Sequence, residues 1–90
     1  MAVTAVVQHR VKDYAAWREV YDGFARPEQA GVGAPQGVYR ATEDPNNVLV
    51  IHRFDTAAEA ELFTGAAYVR DVMHRAGVEG EARIELYVDA

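Results

Sequence analysis

Residues 48–51, Val-Leu-Val-Ile, put apolar side chains on both parities of one short segment. Successive side chains of a strand point to opposite faces. A run that is apolar on both therefore belongs at the centre of a sheet covered on both sides. The run continues into His52-Arg53-Phe54 and follows Glu43-Asp44-Pro45-Asn46-Asn47, whose Asp, Pro and Asn favour a tight turn. Residues 37–42 before that turn also read as a strand, so residues 37–54 form a hairpin.

The remaining segments take their types from periodicity. Residues 3–11 alternate, with Val3, Ala5, Val7, His9 and Val11 on one side, and form a strand. Asp13 suits the N-cap of a helix whose stripe is Tyr14, Trp17, Val20, Tyr21 and Phe24. Pro27 bends or ends that helix, with room for a short continuation through Ala30, and residues 31–37 form a turn-rich connector. Thr56 and Glu59 make a capping box for a helix to about Thr64, where Gly65 interrupts. Val69, Val72, Met73 and Ala76 give a second helical segment that ends with Gly77 as its C′ residue. Residues 82–88 alternate again.

The order β-α-β-β-α-β predicts an α+β, ferredoxin-like domain over residues 1–90: four antiparallel strands, in the order 4-1-3-2, with the helices on one face. Helices cover one face only, while the third strand is apolar on both. A second copy of the same sheet is the economical cover, so a homodimer is expected, the sheets forming a dimeric α+β barrel. A domain this small buries only about 60% of its unfolded surface and gains from such pairing.

Charge and cysteine content remove several function classes. The net charge is −5, and Lys12 is the only lysine among nine Lys and Arg. No basic footprint for nucleic acid exists. The absence of cysteine removes thiol nucleophiles, zinc–thiolate sites and iron–sulfur clusters. At the N-terminus, His9 and Arg10 cut short an apolar run, which reads as neither a signal peptide nor a membrane span; a cytoplasmic protein is expected.

The pattern His-x-Val-x-Asp-Tyr-x-x-Trp, carried by His9, Val11, Asp13, Tyr14 and Trp17, resembles the dimeric α+β barrel superfamily. Tyr39 and Arg40, Asp44-Pro45-Asn46 and Ala76-Gly77-Val78 extend the resemblance over nearly the whole chain. That superfamily includes antibiotic biosynthesis monooxygenase-like proteins, small polyketide cyclases, muconolactone isomerase-like enzymes and haem-degrading monooxygenases. The resemblance is strongest to short cyclase-like members. It implies a homodimer with a pocket between helices and sheet in each subunit, and a place in secondary metabolism.

Two residues are read as catalytic candidates, His9 and His52, and four as ligand-binding candidates, Trp17, Tyr21, Tyr39 and Arg40. An unperturbed imidazole titrates near 6.5 and can serve as a general base. His9, on the apolar parity of its strand, is either such a base or a histidine bonded to a backbone carbonyl. If Thr42 pairs with Val48, Arg40 and His52 lie diagonally on one face and could share an acidic ligand oxygen; otherwise His52 closes its strand near the sheet edge and Arg40 pairs with a carboxylate of a second subunit. The tryptophan and tyrosine suit either core packing or the flat wall of an aromatic-ligand pocket. His74 falls opposite the apolar stripe of its helix and should face water. His9 and His52 should be too far apart along the sheet to act as a dyad, and no carboxylate completes a metal site. These readings support a small-molecule-binding protein or a cofactor-independent enzyme of cyclase or monooxygenase kind, acting on an aromatic or polyketide-like metabolite with neither metal nor cofactor. The competing reading is a non-catalytic dimerisation or scaffold module with structural histidines.

Overall fold

A computed structural model describes residues 2–24 and 34–90. The elements are β1 (Val3–Val11), α1 (Tyr14–Phe24), β2 (Ala34–Arg40), β3 (Asn47–Phe54), α2 (Ala57–Gly65), α3 (Ala67–Arg75) and β4 (Val78–Val88). The strands form one antiparallel sheet in the order β2-β3-β1-β4, the ferredoxin-like arrangement that the residue pattern predicts. The expected bend at Pro27 and continuation to Ala30 lie outside the described residues, as does the side chain of Phe24.

Every second residue of β1 from Val3 to Val11 is buried, as is every second residue of β3 from Val48 to Phe54. These side chains share the face beneath the helices, with Ala5 opposite His52, Val7 opposite Val50 and His9 opposite Val48. On the other face Val6, Leu49 and Ile51 are half-buried within the single chain.

The packed face carries two apolar clusters. In one, Val3, Ala5 and Phe54 meet Ala60, Phe63 and Val69 of α2 and α3. In the other, Val7, Val11, Val48 and Val50 meet Trp17 and Tyr21 of α1, with Ala76. Met73 packs against both. The core is thus divided between the helices, with a methionine on the seam.

Local chemistry sets the ends of the elements. The Thr56 side chain accepts from the Glu59 N–H, as the capping motif predicts. Asp13 Oδ1 accepts from the Ala15 N–H, and Asn46 Oδ1 accepts from the Tyr14 N–H, so the hairpin turn helps to cap α1. Asn46 also accepts the Val11 N–H on its carbonyl at 2.8 Å, tying turn to strand. Gly77 takes φ +83° just past α3, the left-handed backbone that favours glycine at C′.

Three boundaries differ from the sequence expectation. β2 runs from Ala34 to Arg40, where residues 37–42 were expected to form it, so the strand starts three residues earlier and the turn begins at Ala41. Proline is tolerated because β2 is an edge strand, and the register shifts between Pro35 and Gly37. β4 begins at Val78, where residue 82 was expected, because a bulge interrupts its alternation. Gln8 pairs with Arg83 but Arg10 with Glu79, so residues 80–82 lie opposite His9 alone. Gly80 takes φ +69° in that bulge.

Candidate active site

α1 lays its aromatic side chains over β1 and β3, and the rings form a row. Trp17 and Tyr21 stack at a centroid separation of 4.9 Å. His9 lies against Trp17 at 5.5 Å, and His52 meets the edge of Tyr21 at 5.9 Å. Phe63 of α2 stacks on the other side of His52 at 5.3 Å. Two imidazoles therefore sit inside an aromatic wall, and both are buried, His9 to 4% exposure and His52 to 1%.

The two histidines differ in their partners. His52 Nε2 and the Tyr21 hydroxyl are 2.8 Å apart and share a hydrogen bond, with the hydroxyl donating when the imidazole proton is on Nδ1. Burial pushes the Tyr21 phenol up to about 12, with Arg18 opposing and Asp22 adding to the shift. Tyr21 therefore stays a neutral hydrogen-bond donor at neutral pH. Neither ring nitrogen of His9 has a hydrogen-bond partner among the described residues. Burial lowers its pKa to about 4, so it is neutral at pH 7. The reading of His9 as a histidine bonded to a backbone carbonyl is thus corrected.

Between these groups is a small cavity of about 40 Å³, lined by His9, Trp17, Tyr21, His52, Phe63 and Met73 among others. A water needs roughly 10–15 Å³ of such space. The chamber therefore admits a few waters in this conformation, not an aromatic ring. A neutral imidazole at its wall can accept a hydrogen bond or a proton from one group and donate to another.

The structure brings His9, Trp17, Tyr21 and His52 together and leaves Tyr39 and Arg40 out. Arg40 pairs with Val48, and Val38 with Val50, two residues off the register that would set Arg40 beside His52. Arg40 instead lies 3.9 Å above the Tyr14 ring and donates from Nε to the Pro45 carbonyl at 3.0 Å. The proposed Arg40–His52 clamp is therefore corrected. His52 does not close a sheet edge either, since β3 is an inner strand. Tyr39 pairs with Leu49 on the opposite face of the sheet, is half-exposed, and covers Gly37 so closely that a Cβ there would meet its ring at 2.7 Å. His74 is exposed, where the helical wheel places it.

His9 and His52 lie four ladder positions apart, about 14 Å along the sheet, so they flank one chamber without forming a dyad. Among the described residues no three His, Cys, Asp or Glu side chains cluster as a metal would need, and no helix is long and apolar enough to cross a membrane. Sequence reasoning missed the part played by Phe63, which it did not single out, and that of Met73, which it read as a position on a helical stripe. Gly80, two residues before Ala82, was the available signal for the bulge.

Comparison with solved structures places this geometry on a known fold. The chain superposes on Rv0793 from Mycobacterium tuberculosis with a TM-score of 0.72 at 10% identity, covering 100% of this chain and 96% of that one. An antibiotic biosynthesis monooxygenase gives a TM-score of 0.70 at 12% identity, with 98% of each chain covered. The fold is theirs. SnoaB, a cofactor-independent oxygenase from Streptomyces nogalater, in a mutant form, gives 0.72 at 16% identity, covering 98% of this chain and 92% of that one. At such identities the likeness speaks for the fold alone. No protein-family model matches the sequence, and no curated protein does.

Proposed function

We propose that the chamber beneath α1 is a small-molecule site for an aromatic or polyketide-like metabolite, with His9 and His52 as its proton-handling groups and no cofactor. The observation that carries this reading is that His9, whose two ring nitrogens are buried and without a partner among the described residues, is one of the residues lining a cavity. Leaving such groups unsatisfied costs about 1–3 kcal/mol, and a ligand hydroxyl or carbonyl would remove that cost. Tyr21 holds the His52 ring by its hydrogen bond, while Trp17 offers a flat wall. The solved structures named for monooxygenase and oxygenase activities support the class by fold.

A second copy of the chain is proposed to cover the open sheet face, where Val6, Leu49 and Ile51 remain half-buried. The competing reading, a non-catalytic dimerisation module, is favoured by the small volume of about 40 Å³. Native mass spectrometry of the protein freshly isolated from its source separates the two. A retained small molecule of aromatic or polyketide-like mass is expected. Only the bare polypeptide mass, with no exchangeable ligand at any concentration of cell extract, favours the module.

A further inference from the structure

The β4 bulge opens the molecule on the side where His9 lacks a β4 partner. Around it lies a groove of about 580 Å³ between α3 and β4, with Val69, Met73, Val78, Ala82 and Ile84 as its apolar lining. Its rim carries Arg70, His74 and Glu81, charges of both signs. Met73 and Val69 line this groove and also the chamber. Pockets for small ligands usually span roughly 300–1,000 Å³; the groove falls in that range and the chamber does not.

We propose that the chamber and the groove are two halves of one elongated site, parted by the Met73 side chain, and that it takes a phenol or enol bearing an apolar substituent. The inference rests on the chamber being a ligand site. The head enters the chamber and donates its O–H to an unpartnered nitrogen of His9, while the substituent lies along Val78, Ala82 and Ile84. Met73 suits the partition because its unbranched thioether turns about three bonds and fills irregular space in several ways. It packs on both core clusters and is only half-buried, so displacement leaves each cluster's remaining contacts in place. The groove between α1 and α3 is a poorer route: Val72 alone joins it to the chamber, a β-branched side chain with little rotamer freedom, and its walls carry Glu19, Asp71 and Arg75.

Trp17 is the only tryptophan and stands in the chamber wall, so its fluorescence reports entry. The test titrates the full chain with phenol, 4-butylphenol and 4-hexylphenol, with excitation at the red edge of tryptophan absorption. Affinity should rise roughly twofold to fourfold for each added methylene, as the tail leaves water. Ile84→Glu should flatten that dependence. Leu62→Glu, at a leucine exposed outside both halves, should keep it. Met73→Ile, with a stiffer side chain, should slow association of all three phenols, and thermal melts confirm that each variant folds. Saturable binding with no dependence on chain length, or the same dependence in Ile84→Glu, overturns the two-part site and leaves the chamber standing. No saturable change with any phenol overturns both.

Discussion

His9 is a base whose folded pKa lies below its unfolded value, and the sign of its effect on stability follows. Between about 4 and the ordinary imidazole value of 6.5 the unfolded chain binds a proton that the folded chain refuses. Stability is therefore full above the unfolded pKa, falls as pH drops through this window, and levels off below it. The ceiling of this term is about 3 kcal/mol. Denaturant melts of the wild type and His9→Leu at pH 7 and pH 4.5 isolate it from carboxylate titration, and the wild type should lose the more stability. Equal losses would show that His9 reaches water. Tyr21→Phe strips a buried hydrogen-bond partner from His52 and should cost about 1–3 kcal/mol. His74→Ala, at an exposed position, should stay within about 0.5 kcal/mol of wild type by thermal melt.

At the scale of elements, caps and strand faces were legible because each depends on near neighbours in sequence. Thr56 and Gly77 occupy the positions their residue types predict. Thr56→Ala should therefore cost about 1 kcal/mol, and a loss below a few tenths in chemical denaturation would mean that the α2 N-terminus is satisfied otherwise. What escaped was register. Pairing Thr42 with Val48 across Glu43–Asn47 sets Arg40 and His52 on one diagonal, whereas Asn46 is engaged with both Tyr14 and Val11, contacts more than thirty residues distant. Two residues of slip keep Arg40 on the same face and move it to the far end of the ladder. The β4 bulge escaped for a similar reason: glycine marks such a site, but its partner on the adjacent strand is fixed by the whole sheet.

Across the whole molecule, one face of the sheet is packed under helices and the other carries half-buried Val6, Leu49 and Ile51. Small-angle scattering at micromolar concentration should report a dimer, and Leu49→Arg, which sets a charge on that face, should shift the mass toward a monomer. A monomeric wild type would remove the proposed pairing. The chamber was legible from sequence in its two histidines, Trp17 and Tyr21; its small size and its Met73 partition were not, since volume depends on how three helices settle on one sheet.

A 1-naphthol titration followed by Trp17 fluorescence tests most directly whether His9 is a ligand-binding group within this chamber. The wild type should show saturable one-site quenching. His9→Leu, of comparable bulk and without the nitrogens, should bind at least about tenfold more weakly, in keeping with the loss of roughly 1.4 kcal/mol from one buried hydrogen bond, while its thermal melt at pH 7 remains cooperative. Equal affinity in the two proteins, or no saturable quenching in either, would contradict the claim.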